Sequence, residues 1–198
     1  MSRIGKVLIA AVLLAGASPV IASAQTQSTT PATNAGTRLN FPSSLGGATF
    51  ERSVNYAAPP GNNPGQGMAY YYSTPKRLMI SVQVYDLGRR VSSGSDNPTV
   101  TGQFNAEVAS AEQQFRHAGY TGFQKPSVPS SCTYGAVTFR CITYSGVTQA
   151  NSRIYSKLML TGFREHFVKI RIDWAQSHQQ TTADADAALQ AFVPALMR

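Results

Sequence analysis

The stretch that decides the fold is RIYSKLMLTGFREHFVKIRIDW, residues 153–174. It contains two runs rich in β-forming residues, 153–161 and 165–174, and the residues between them, 162–164, suit a tight turn. The second run alternates apolar with polar or charged residues, which is the period of two of a strand with two different faces. The stretch therefore predicts an antiparallel pair of strands with one apolar and one basic face.

The basic face of this pair is the main candidate binding surface in the sequence. Neighbouring antiparallel strands would place together Arg153, Tyr155, Lys157, Phe167, Lys169 and Arg171. Fixed cations beside aromatic rings attract anions and pack against sugars. The alternative is that these residues only keep an exposed sheet face in contact with water. A second, weaker candidate is the run Tyr70-Tyr71-Tyr72, which is more typical of a half-buried strand.

The remaining pattern predicts further strands and two helices. Strands are expected at 48–56, 68–72 and 77–86. Asn97 and Pro98 are typical of a helix N-terminus, and Thr181 can cap a second helix near the end of the chain. The apolar stripes of the helices would be Val100, Phe104, Val108, Ala111 and Phe115 in the first, and Ala185, Leu189, Phe192, Val193 and Leu196 in the second.

The order of these elements is strands, helix, strands, helix. It predicts an α+β sandwich, in which a mainly antiparallel sheet packs against two principal helices. Residues 41–198 are long enough for a single domain with one core. Residues 25–40 are small and polar, with no periodic apolar face, and are expected to form a flexible leader.

The only cysteines are Cys132 and Cys141. β-forming residues lie on either side of Gly135-Ala136 between them, which predicts a hairpin with the two cysteines bridged. A closed loop of about ten residues would contribute about 3 kcal/mol of stability by restricting the unfolded chain.

Residues 1–24 have the three parts of an export signal. Arg3 and Lys6 precede the apolar run 7–17, and Ala22-Ser23-Ala24 is a small-residue cleavage site. The apolar run is shorter than the ~20 residues of a membrane-spanning helix. We therefore expect cleavage after Ala24 and a mature protein, without a transmembrane segment, that is periplasmic or secreted.

The chain is basic, with a formal net charge of +8 that falls to +6 without Arg3 and Lys6. Nucleic acid is a poor candidate partner, because the dense Lys/Arg clusters that displace phosphate counterions are missing from the sequence. An anionic component of the cell envelope, or a protein, fits the predicted location better.

The sequence contains no recognisable catalytic or cofactor motif. There is no Gly-x-Ser-x-Gly, no His-Glu-x-x-His, no Cys/His ligand spacing for a metal and no glycine-rich phosphate loop before a helix. We therefore expect a non-catalytic binding or accessory protein without a cofactor. The alternative is an envelope-associated hydrolase whose site is assembled around Asp86, His166 or Asp173.

Several stretches resemble a family of small exported proteins of Gram-negative bacteria that has no assigned activity. These stretches are Phe41-Pro42, Leu45-Gly46-Gly47, residues 81–86, Leu158-x-Leu160-Thr161-Gly162 and residues 167–171. The order of strands and helices is also similar to that of the Mog1/PsbP-like sandwich, whose members mostly bind partners and do not catalyse reactions. The resemblance implies packing positions and no site residue.

Overall fold

The computed structural model describes residues 26–59 and 62–198. The predicted signal peptide, residues 1–24, lies outside the described residues. The strands are β1 Thr26–Ser28, β2 Ala32–Thr33, β3 Asn40–Phe41, β4 Ser44–Leu45, β5 Ala48–Asn55, β6 Met68–Ser73, β7 Met79–Tyr85, β8 Thr121–Gln124, β9 Ser130–Tyr134, β10 Val137–Val147, β11 Arg153–Phe163 and β12 His166–Ala175. The helices are α1 Pro98–His117 and α2 Thr182–Leu196, and short 3-10 turns occur at Pro64–Gln66 and Gln176–His178.

Ten of the strands form one antiparallel sheet in the order β1-β5-β6-β7-β12-β11-β10-β8, with β4 paired to β5 and β9 paired to β10. The β5–β7 meander and the β10–β12 meander are joined by the pairing of β7 with β12. β2 and β3 form a separate two-stranded sheet. The architecture is an α+β sandwich with a large antiparallel sheet and two helices, as the sequence predicts.

The two helices cover opposite faces of the sheet. On β11, Leu158 and Leu160 pack into the core beneath α1, whereas Met159 between them belongs to the core beneath α2. Successive residues of a strand point to opposite faces. The central strands are therefore buried on both sides, with a helical layer on each.

Both helices begin at their predicted caps and bury their predicted stripes. The Asn97 side chain accepts a hydrogen bond of 2.9 Å from the backbone N–H of Val100 at the start of α1. Thr181 and Asp184 form a reciprocal capping box at the start of α2. All ten stripe residues predicted for the two helices are buried. Within the described part of the chain, no helix is both long and apolar enough to span a bilayer.

Residues 26–40 do not form the flexible leader that their composition predicts. β1 pairs with β5 at the edge of the sheet, and β2 pairs with β3. Leu39 and Phe41 are buried, and the Phe41 ring stacks on Tyr70 with 3.5 Å between the ring centroids. The Asn34 side chain accepts a hydrogen bond of 3.0 Å from the Thr37 backbone N–H and closes the intervening loop. Backbone pairing and a few long-range contacts order this polar segment.

The predicted disulfide hairpin is present. Cys132 on β9 is bonded to Cys141 on β10, and their Cα atoms are 6.0 Å apart. Cys141 is buried in the core beneath α2, and Cys132 packs against that core. The bridge therefore links β9 covalently to β10 beside this core.

Candidate functional site: an arginine–tyrosine cluster

The residues predicted to form one basic face lie on two opposite faces of the sheet. Tyr155 is paired with Trp174, and Leu158 is paired with Arg171. The α2 face therefore carries Arg153, Tyr155 and Lys157, and the α1 face carries Phe167, Lys169 and Arg171.

The turn between the two strands explains this difference. Arg164 and Glu165 form a two-residue turn with φ of 47° and 65°, in place of the predicted turn at 162–164. Thr161 consequently pairs with Val168, whereas the longer turn would pair it with Glu165. A register shift by an odd number of residues moves every side chain of one strand to the other face relative to its partner.

On the α2 face, Lys157 and Tyr155 make contacts within the fold. The Lys157 ammonium lies 2.8 Å from a carboxylate oxygen of Asp186 on α2 and donates a 2.9 Å hydrogen bond to the Tyr134 hydroxyl. Burial alone would lower the pKa of Lys157, but the hydrogen bonds to these two partners outweigh it and raise the pKa. Tyr155 stacks on Trp174, with ring centroids 5.4 Å apart. These residues attach the sheet to α2 and its core.

Arg153 lies nearer the β8 edge of the sheet. Its Nη1 donates hydrogen bonds of 3.2 Å to Gln124 on β8 and 3.1 Å to Ser145 on β10. Arg153 thus joins three neighbouring strands. Its role in ligand binding, like that of the other five predicted residues, stays a prediction.

On the α1 face, Lys169 takes part in a buried network. Its ammonium lies 2.9 Å from Glu107 on α1, and Glu107 also accepts hydrogen bonds of 2.7 Å from Tyr85 and 3.0 Å from Gln103. Burial alone would raise the pKa of Glu107, but the charge of Lys169 and the three hydrogen bonds outweigh it and lower the pKa. Phe167 is buried against Tyr85. This part of the face holds α1 in place.

Arg171, on the same face, forms an ion pair with Asp173. Its Nε and Nη2 lie 3.1 Å and 3.0 Å from the same carboxylate oxygen of Asp173, and Ser156 donates to the other oxygen. Burial alone would lower the pKa of Arg171, but Asp173, Tyr144 and Tyr71 raise it. Burial raises the pKa of Tyr144 to about 12. Arg171 is therefore a permanent cation and Tyr144 a neutral hydroxyl at neutral pH.

A row of paired residues connects Arg171 to Arg52 across the same face. Arg52 pairs with Tyr71, Tyr71 with Ser81, and Ser81 with Arg171, on β5, β6, β7 and β12. The Arg52 guanidinium lies 4.3 Å from the centroid of the Tyr71 ring. The Tyr71 hydroxyl is 3.3 Å from that of Tyr56. We call Arg52, Tyr56, Tyr71 and Arg171 the arginine–tyrosine cluster.

The cluster is electropositive and poorly solvated. Burial raises the pKa of Tyr56, and Tyr71 raises it further, while the charges of Arg52 and Arg171 oppose the rise. Both guanidinium groups are thus close enough to act on one hydroxyl. Solvent does not reach Nε and Nη2 of Arg52, and neither atom has a hydrogen-bond partner among the described residues. Both donors are therefore unused within the fold.

The residues of the alternative hydrolase site have other partners. Asp86 accepts a hydrogen bond of 2.7 Å from the backbone N–H of Gly88, and the His166 Nδ1 lies 2.8 Å from the carbonyl oxygen of Arg164. Asp173 is paired with Arg171. A groove of about 240 Å³ lies between α1 and residues 125–129. Asp86, His166 and Asp173 do not line it. Within residues 26–59 and 62–198, no group of three or more His, Cys, Asp and Glu could hold a metal ion.

Comparison of the chain with protein-family models, with curated proteins and with solved structures gives no match. The likeness to small exported proteins and to the Mog1/PsbP-like sandwich therefore stays a prediction.

The cluster could not be recognised in the sequence, because a β-bulge changes the face of the sheet on which Arg52 lies. Strict alternation along β5 places Arg52 on the same face as Phe50. The register shifts between these two residues, so that Phe50 packs in the core beneath α2 and Arg52 turns to the opposite face. In the Tyr70-Tyr71-Tyr72 run, the first and third rings are buried beneath α2 and only Tyr71 joins the cluster.

Proposed function

We propose that this protein is an exported, non-catalytic binding or accessory domain that recognises an anionic component of the bacterial envelope. The observation that carries this proposal is the Arg52 guanidinium of the arginine–tyrosine cluster, which lies 4.3 Å from the Tyr71 ring and has two buried donors without a partner. Preformed, partly buried cations bind anions more strongly than exposed ones, because the surrounding protein screens them less.

The charges near the cluster also favour an anionic ligand. Asp173 balances one of the two arginines. Glu51, next to Arg52 in the chain, is exposed and accepts a hydrogen bond from Ser73. An excess positive charge therefore remains at the cluster, in a chain whose formal net charge is +6 without Arg3 and Lys6.

Export is proposed on two grounds. Residues 1–24 carry the pattern of a signal peptide, and the Cys132–Cys141 disulfide is of a kind that persists in oxidising compartments. N-terminal sequencing of the native protein should give Gln25 as the first residue, with both cysteines oxidised. A cytosolic chain that retains Met1 and two free thiols would contradict export.

The binding proposal is tested by affinity capture from envelope extract with the exported protein at low and high salt. We expect an anionic species that is retained at low salt and released at high salt. Arg52→Gln should reduce its capture, whereas Arg90→Gln, which removes the same charge from an 86% exposed side chain, should not.

Two results would overturn the proposal. Salt-resistant capture of a protein, equal in both variants, would point to an apolar protein interface. Turnover of hydrolase substrates with no species retained would favour the hydrolase alternative.

A further inference from the structure

We infer that the Nε and Nη2 edge of Arg52 binds a single carboxylate group of the ligand. This inference rests on the proposed function and names the chemical class of the group that is recognised.

The geometry of Arg52 suits this role. Nε and Nη2 lie on the same edge of a guanidinium group, and their two N–H bonds form the fork that matches the two oxygens of a carboxylate. The ring of Tyr71, 4.3 Å below, restricts the orientation of the guanidinium plane. Binding would therefore cost little additional side-chain entropy.

Other arginines in the fold show that this edge is exceptional. The same two atoms of Arg171 are both bonded to Asp173. In Arg140 only Nε is both buried and without a partner, so that it offers a single donor of this kind. Among the described residues, Arg52 alone has both donors of the fork buried and unpaired.

The unpaired donors carry an energetic cost that a ligand would remove. A buried donor without a partner destabilises the fold, and folded proteins pair nearly all such groups. Since solvent does not reach these nitrogens, water cannot pair with them without a local opening. The same opening must precede ligand binding. The apparent affinity is therefore the affinity of the open site multiplied by the fraction of molecules in which the site is open.

The charge balance favours a carboxylate over a phosphate. Arg52 and Arg171 together with Asp173 leave one net positive charge, which a monoanion neutralises. A phosphate monoester carries about −1.5 to −2 at neutral pH and would leave an unbalanced negative charge in a poorly solvated site. The raised pKa of Tyr56, caused first by burial, keeps its hydroxyl protonated and able to donate to the bound anion.

The test is a titration of the exported protein with acetate, with inorganic phosphate and with chloride at constant ionic strength. Binding is followed by NMR through the Nε–H signal of Arg52. We expect saturable 1:1 binding of acetate that shifts this signal, and no saturable binding of phosphate or chloride.

Two substitutions at Arg52 and one control variant test whether both guanidinium donors bind acetate. Arg52→Lys keeps the charge but cannot form two parallel hydrogen bonds, so acetate affinity should fall about tenfold or more, and Arg52→Gln should abolish binding. Arg90→Gln should bind acetate like the wild type. Near-UV circular dichroism verifies that each variant is folded. If Arg52→Lys fails to fold, the wild-type Arg52 signal alone decides the question.

Saturable binding of phosphate but not acetate, acetate binding unchanged in Arg52→Lys, or no saturable binding of acetate would each overturn the inference. If acetate does not bind but the envelope species is still captured in a salt-dependent manner, the inference fails and the proposed function stands. If acetate binds at Arg52 but nothing anionic is captured, the inference stands and the proposed function fails.

Discussion

The ammonium of Lys169 on β12 lies 2.9 Å from a carboxylate oxygen of Glu107 on α1, and the two side chains are only 22% and 17% exposed. Tyr85 on β7 donates to the same carboxylate. A charge that is this buried is stable only while it is paired, because removal of one partner leaves the other without its compensating charge. The pair therefore attaches α1 to the middle of the sheet.

Replacing Glu107 by Gln should destabilise the protein by about 2–3 kcal/mol, the cost typical of losing hydrogen bonds to a charged group. The measurement is urea unfolding at pH 7. Glu112→Gln is the matched control on the same helix, because Glu112 forms an ion pair at the surface. Its partner Arg116, at 2.7 Å, is 73% exposed. We expect the control to change the free energy of unfolding by less than about 0.5 kcal/mol. Equal effects of the two substitutions would contradict the structural role of Glu107.

The contribution of Glu107 should also depend on pH. Its pKa is lowered in the folded protein, since the effects of Lys169 and the hydrogen bonds exceed that of burial. The unfolded chain then binds the proton more readily, so this contribution is complete above the usual pKa of 4.5 and is lost as the pH falls through the folded-state pKa. We expect the difference in stability between wild type and Glu107→Gln to shrink below pH 4.5. If the difference in stability between the two proteins grew as the pH fell, the pKa of Glu107 would not be lowered by folding.

Reduction of the Cys132–Cys141 bond should lower the free energy of unfolding by about 3 kcal/mol, because the bridge restricts the unfolded chain over a loop of about ten residues. Urea unfolding with and without reductant measures this loss. A variant with both cysteines replaced by alanine should be insensitive to reductant and about as stable as the reduced wild type. A wild type that is equally stable in both conditions would show that the bond does not stabilise the fold.

Alanine at two glycines should have opposite effects. A Cβ at Gly162 would overlap the carbonyl oxygen of Ser92, where Gly162 and Gly94 exchange two backbone hydrogen bonds. We expect Gly162→Ala to cost about 1–3 kcal/mol, as overpacking does. Gly102 lies in α1 with open space around it, so Gly102→Ala should add about 1 kcal/mol. Thermal unfolding of both variants measures the two changes, and destabilisation by Gly102→Ala would contradict the open position.

The two arginines of the cluster should differ in their effect on stability. Arg171→Met leaves Asp173 without its cation and should cost about 3 kcal/mol or more. Arg52→Met removes two unpaired buried donors and loses the contact with the Tyr71 ring, so it should change stability by less than about 1 kcal/mol without ligand. Urea unfolding in acetate-free buffer compares them. A large loss for Arg52→Met would mean that its donors are paired in solution.

Particular elements show what could be predicted from the sequence. The buried stripes of α1 and α2 follow directly from helical periodicity and capping, and both agree with the structure residue by residue. The faces of β11 and β12 could not be assigned, because they depend on whether the turn is at 162–164 or at Arg164 and Glu165.

The arginine–tyrosine cluster could not be predicted for a similar reason. Its members come from β5, β6 and β12 and from the residue after β5, and the bulge between Phe50 and Arg52 changes the face on which Arg52 lies. Order in residues 26–40 was missed because it depends on long-range partners, such as Tyr70 for Phe41. Composition reports local preference and contains no information on such partners.

The place of β12 in the sheet has a consequence for biogenesis. Among the described residues it follows every other strand in sequence, yet it lies between β7 and β11 and completes the middle of the sheet. During synthesis, which proceeds from the N-terminus, the sheet cannot close until residue 175 has emerged. Until then β7 presents an unpaired edge with apolar side chains such as Ile80 and Val82, which is a surface prone to aggregation. A chain with this topology therefore keeps the edge of β7 open until β12 has been added.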